Sequence, residues 1–153
     1  MWRRQKHEGQ RGHAIIEVSM MAPWIFFLMI GTLDFGFYAY AAIATENAAR
    51  VAASQTSYDA NSASSNMVAC NYAIGELQSI PNMSSVSTCV TSPSSITATQ
   101  PLSVVAAQVT GPDGAQASQV TVTYRSMQMI AIPGLLPSQI TLTRIAQMRL
   151  KNQ

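Results

Sequence analysis

Apolar and polar positions fall into three regimes along the chain, and each predicts a different element. From Ala14 to Leu33, twenty residues run with Glu17 as the only charge. At 1.5 Å per residue this makes about 30 Å of helix, the thickness of a bilayer core, so the run reads as a membrane span. Pro23 removes one backbone hydrogen bond inside it and is expected to bend the helix without breaking it. Phe35, Phe37, Tyr38 and Tyr40 follow, where rings with a polar tip suit the headgroup level, and Asp34 marks the exit from lipid. The helix is expected to continue, because Ala39 to Ala53 is rich in alanine and Glu46 and Arg50 stand in the favourable i,i+4 order. One helix over residues 13–56 results. Ala41, Ala48, Ala49, Ala52 and Ala53 would admit another helix at close range, although alanine's helix propensity accounts for the same residues without a partner.

The second regime is short. Ser54 to Asn66 is polar and reads as a helix end and connection. Met67, Cys70, Ile74 and Leu77 then recur at helical steps, with Ser64 or Ser65 as cap and Pro81 as terminator, which predicts a helix at about 65–79. Beyond it the texture turns to Ser, Thr and Val, and a sheet is expected over about 86–150. Leu102 to Thr110 is one strand, joined through Gly111, Pro112, Asp113 and Gly114 to a second in a hairpin. In that second strand Val120, Val122 and Tyr124 alternate with Thr121, Thr123 and Arg125. Ile140, Leu142, Ala146, Met148 and Leu150 repeat the pattern opposite Thr141, Thr143, Gln147 and Arg149. The apolar loop Ile132 to Pro137, IPGLLP, would pack under the sheet or against a lipid or protein surface. A small antiparallel sheet laid on helices is an α+β architecture.

Composition narrows the function classes. Only 10% of the 153 residues are charged and 48% are apolar, which suits one modest folded domain plus a membrane-directed segment. Arg3, Arg4, Lys6 and Arg11 sit in the first twelve residues against Glu8 alone, so residues 1–12 form a basic leader and the rest of the chain is slightly acidic. With these bases before the span and none after it until Arg50, the N-terminus is expected in the cytoplasm and residues 57–153 outside it. A formal charge of +2 without a basic, aromatic-laced run argues against nucleic acid as a partner.

Catalytic parts are missing from the exported portion. It has no histidine, since His7 and His13 lie at or before the span, and no G-x-S-x-G turn. Asp59, Glu76 and Asp113 are scattered over separate elements and read as solvated acids. An enzyme, a cofactor, a metal and a small-molecule substrate are therefore not expected. Cys70 and Cys89 lie after the span, in what would be an oxidising compartment, and are expected to pair; buried free thiols are the other reading. There is no CxxC to suggest a metal.

Glu17 is the costly residue. A carboxylate in lipid costs roughly 2.5–3.5 kcal/mol on insertion scales, so it calls for a partner. Were the chain cut after Gly12, His13 would carry a new α-amine one helical turn from Glu17, about 6 Å along the axis. An acid that snorkels to the interface is the plainer account.

At these residues the chain resembles the TadE/TadG-like pseudopilins of the tight-adherence (Flp, type IVc) pilus system. The resemblance is carried by RGHAIIE, by Pro23 six residues after Glu17, by GTLDFG at 31–36, by ENAARVAA at 46–53 and by ITLTRIAQMRL at 140–150. It implies a pilin-like fold and cleavage by prepilin peptidase after Gly12, leaving His13 as first residue and Glu17 as the acid that aligns subunits. It also implies extraction from the inner membrane with other pilin subunits and assembly proteins, and a role as a minor subunit in a pilus used for adherence. Val18 departs from the tyrosine that major Flp pilins carry after the acid, and the chain is much longer than those pilins. Two other readings use the same residues differently: a secreted binding domain released from a signal peptide near Ala42 or Ala44, and a membrane-anchored enzyme.

Overall fold

The structure, a computed structural model, describes residues 11–131, 134 and 137–151, with side chains from Ala14 onward. The expected basic leader lies outside the described residues up to Gln10. The chain divides into two compact units at Gly36 and Phe37.

Helix α1 spans Arg11–Thr56. In the second unit its residues from Phe37 onward supply one wall of the core. Tyr38, Ala41, Thr45, Ala48, Ala49, Ala52, Ala53 and Thr56 are all buried, and their three- and four-residue spacing makes one stripe. The alanines join a single cluster with Ala69, Ala73 and Leu77 of α2 (Asn66–Leu77) and with Leu102, Val104, Val120, Val122 and Tyr124 of the sheet. The neighbours of the small-residue stripe thus belong to this same unit. Phe37 packs on that core and Tyr38 is buried, its hydroxyl donating to Pro137 O, while Phe35 and Tyr40 are exposed.

Ser65 caps α2 by accepting the Val68 N–H at 3.4 Å. The buried stripe of α2 is Ala69, Cys70, Ala73, Ile74 and Leu77. Met67, expected to belong to that stripe, is 73% exposed: it stands in the first turn of α2, at the edge of the cavity beside Cys70 and Cys89.

The segment after α2 corrects the expected start of the sheet. Residues 78–101 form turns, with Ile80 N–H bonding Leu77 O, Met83 N–H bonding Ile80 O and Val86 N–H bonding Met83 O. Pro81, Pro93 and Pro101 lack the N–H a ladder needs, so this stretch buries Ile80 and Met83 without building strands. It still meets the sheet: Val90 makes a parallel bridge to Ser103, Pro101 O accepts the Arg125 N–H at 2.8 Å, and the Asn82 amide donates to Arg125 O at 3.1 Å.

The sheet holds β1 (Leu102–Thr110), β2 (Gln116–Arg125) and β3 (Thr141–Arg149) in the order β1-β2-β3, antiparallel throughout. The hairpin between β1 and β2 closes on Gly111 to Ala115, with Gly114 at φ 76° and the Asp113 carboxylate accepting the Ala115 N–H. Register places Leu102, Tyr124 and Leu142 in one row and Val104, Val122 and Arg144 in the next. Val120, Val122 and Tyr124 face the helices as the alternation implies. In β3 the pattern breaks twice: Arg144 occupies an inward position and Ile145 points outward, 57% exposed. Met148, at the strand's end, is exposed as well.

Candidate functional site: the N-terminal apolar helix

Large apolar side chains dominate residues 14–33, and here they are exposed on every side of the helix. Trp24 is 74% exposed, Leu28 71%, and Ile15, Val18, Met21, Phe26 and Phe27 are similar. No residue in the most apolar stretch, of mean hydropathy 1.9, is buried. A soluble helix would keep one polar face; this one has none, so its complement must be apolar all round. The two hydroxyls that interrupt the run satisfy themselves: Ser19 Oγ donates to Ile15 O and Thr32 Oγ1 to Leu28 O, each at 2.8 Å. Pro23 lies inside α1, which continues across it unbroken. A missing N–H at that point leaves the Ser19 carbonyl without its helical donor, which is tolerable where bending is local.

Gly12 and His13 lie in the first turn of α1 and Glu17 one turn further on. The Glu17 side chain is exposed and has no ion pair or hydrogen bond among the described residues. Asp34 differs: it is 3% exposed, and its Oδ2 has no hydrogen-bond partner among the described residues.

In the second unit, Cys70 and Cys89 form a disulfide with Cα atoms 5.8 Å apart, closing a separation of 19 residues. The bond lies beside Val90, so it fastens the turn-rich segment to α2 at the point where that segment meets β1. A cavity of about 330 Å³ lies against the disulfide, lined by Asn66, Met67, Asn71, Ser87, Thr88 and Thr91. Its lining has neutral polar groups and no titratable cluster.

Several contacts were hidden from the sequence. Glu46 pairs with Arg50 at 3.0 Å on its own helix and with Arg144 of β3 at 3.6 Å. The signal for the second was the charge among Leu142, Arg144 and Ala146, an inward parity that a solvated arginine would not take. Thr56 and Ser118 hydroxyls lie 2.7 Å apart, with the Ala52 and Ala63 carbonyls at 2.9 and 3.2 Å as further acceptors. They tie the end of α1 to β2. Tyr124 donates to Asn82 Oδ1, and burial pushes its phenol up to about 12, with the Asn82 and Met127 hydrogen bonds acting in the opposite direction. The Asp59 carboxyl is held below its ordinary value, chiefly by the Ser62 backbone N–H at 2.7 Å.

Comparison with known families gives one finding. A family profile described as TadE-like protein matches residues 12–54, which begin at Gly12, contain the whole apolar run and end just before the close of α1. Searches of curated proteins and of solved structures give no match for the chain. Residues 12–54 are thus similar to TadE-like proteins, and the N-terminal apolar helix they contain suits a single-pass membrane anchor.

Proposed function

We propose that the protein is a TadE-like minor pilin, or pseudopilin, of a Flp/Tad type IV pilus, a structural and assembly component rather than an enzyme. In this reading it enters the bacterial inner membrane with its N-terminus in the cytoplasm and its folded unit in the periplasm. Prepilin peptidase cuts after Gly12, and the new amine of His13 pairs with Glu17 of its own or a neighbouring subunit. Subunits then leave the membrane together with inner-membrane assembly proteins, toward a pilus that serves adherence.

The observation that carries the proposal is the helix at 14–33, apolar and exposed around its circumference, with Glu17, which has no partner among the described residues, near its start and Gly12 at the edge of the family match. Such a surface suits two successive environments, lipid and then the sides of other apolar helices, whereas a bare carboxylate suits neither without a counter-charge. Release from an ordinary signal peptide near Ala42 or Ala44 fits less well, because it would strip the buried Tyr38 and Ala41 from the core.

Mass spectrometry of the exported protein tests this. A chain starting at His13 is expected. A start near Thr45 would make it a secreted domain, and an intact Met1 a permanent anchor. For Glu17, the variant Glu17→Ala is expected to be cut normally and to lose subunit cross-linking; unchanged cross-linking would remove the acid from assembly.

A further inference from the structure

The two edges of the sheet are finished differently. Along the free side of β1, Val90 N–H donates to Leu102 O at 3.1 Å and Val104 N–H to Val90 O at 3.0 Å, and the Asn66 side-chain oxygen accepts the Ala106 N–H at 2.7 Å. That edge is capped from Leu102 to Ala106. The opposite edge is β3. Antiparallel pairs alternate along a ladder, and Ser126 N–H meets Ile140 O at one end of β3 while Leu150 N–H meets Gln116 O at the other, so the even-numbered residues of β3 bond to β2. The N–H and C=O groups of Thr141, Thr143, Ile145, Gln147 and Arg149 therefore point away from the sheet. Among the described residues no backbone group bonds to them, and Thr143 O takes only the neighbouring Arg144 guanidinium. Of the expected IPGLLP loop, residues 132–133 and 135–136 lie outside the described residues, and the open edge begins past it.

Edge strands are ordinarily guarded by a proline, a bulge or a free charge. β3 has no proline, and its register with β2 runs unbroken from Thr141 to Arg149. Its two bases are held by acids of their own chain, Arg144 by Glu46 at 3.6 Å and Arg149 by Asp113 at 3.7 Å. Ile145, at the middle of the strand, is 57% exposed. Both ends are pinned, since Lys151 N–H donates to Ser57 O at 2.9 Å beyond the Leu150 bond, so the edge between them is held extended.

We propose that β3 docks against β3 of a second copy of this chain, the two strands pairing antiparallel about a two-fold axis at Ile145 and joining their sheets into one. Every outward N–H of one strand then meets a carbonyl of the other. Ile145 faces Ile145, Thr143 faces Gln147 and Thr141 faces Arg149, while on the other face Arg144 meets Ala146 and Leu142 meets Met148. Only this axis pairs the whole strand; moving it to Arg144 would set like charges opposite each other. The contact closes at two copies, because each chain offers one open edge and the β1 edge is capped. The pairing rests on the sheet alone, whether or not residues 14–33 cross a membrane.

The test uses the full-length chain in detergent micelles, where Cys70 and Cys89 are joined and one introduced cysteine carries one nitroxide. Gln147→Cys labels are expected to couple strongly in electron paramagnetic resonance, because the two positions lie four residues of rise apart on neighbouring strands, about 14 Å. Gln108→Cys labels on the β1 edge are expected beyond about 24 Å, five strand spacings away. Ile145→Pro deletes an N–H that β3 does not use within its own sheet, and Ile145→Lys sets like charges on the axis; each is expected to keep the urea unfolding midpoint and to weaken dimerisation at least about tenfold in sedimentation. If the chains associate while the Gln147 labels stay apart, the contact runs through another surface and edge pairing is overturned. Equal coupling at Gln108 and Gln147, a folded Ile145→Lys chain that dimerises like the parent, or a chain still monomeric at about 1 mM overturns it as well.

Discussion

Residues 14–33 and 37–56 are two stretches of one helix, and they meet the hydrophobic effect in opposite ways. The first carries large side chains at every angle and buries almost none of them. The second carries alanines and threonines on a single stripe, buries all of it, and turns Glu46 and Arg50 outward. Identical backbone geometry therefore says little about environment. Side-chain size decides: bulky residues all round need an external apolar medium, whereas small residues on one face let the chain build its own core by close approach.

The largest test of this contrast is a charge in the first stretch. Phe26→Arg with Leu28→Arg should cost roughly 2.5–3.5 kcal/mol per residue in membrane insertion, seen as loss from the membrane fraction, while leaving thermal unfolding of residues 37–153 unchanged. A lowered unfolding temperature would mean that the apolar stretch is part of the folded unit's core.

The disulfide comes next. Cys70→Ser with Cys89→Ser should destabilise the folded unit by about 3 kcal/mol in urea unfolding, the amount expected for a loop of this length, with membrane insertion unaffected. Equal stability of the two forms would show that the turn-rich segment is held by Ile80 and Met83 alone.

Overpacking the stripe is the sharper comparison. Ala52→Leu should cost about 1–3 kcal/mol, because a fully buried position has no room for three more carbons, whereas Ala22→Leu should leave unfolding unchanged. A tolerated Ala52→Leu would contradict close packing on α1.

Alkaline pH addresses the opposite side of the same core. With its phenol raised to about 12 against an ordinary value near 10, Tyr124 favours the fold fully below pH 10, and that contribution is lost as pH rises toward 12. Tyr124→Phe should flatten the stability profile across this window, and an unchanged slope would assign it to another group. The smallest effect is Glu46→Gln, about 0.2–1 kcal/mol and weaker in salt, since the pairs with Arg50 and Arg144 are half exposed.

Much of the architecture was legible before any coordinates. The long apolar run, the capped short helix, the Gly111 to Gly114 turn and the alternation around Val120 to Tyr124 each follow from a local rule of periodicity or turn chemistry. The rest was not local. Serine and valine after Pro81 have the composition of strand, but prolines and turn hydrogen bonds prevail, and the segment meets the sheet only through isolated contacts such as the bridge at Val90. Met67 matches a helical period with Ile74 and is nevertheless exposed, because a period names a face and not what covers each turn of it. Phe37 and Tyr38 have the composition of an interfacial belt, yet Phe37 packs on the core and Tyr38 is buried, which depends on what folds back against them.

By itself the sequence determined the kinds of element, the apolar length that suits a bilayer, and the placement of Glu17 close after Gly12, because these depend on spacing along the chain. Tertiary structure alone decided that the alanine stripe is filled from within the unit, that Arg144 reaches Glu46, and that Tyr38 holds the carbonyl of Pro137. Those contacts join residues up to 99 positions apart, and no local periodicity encodes which distant surface will cover a given face.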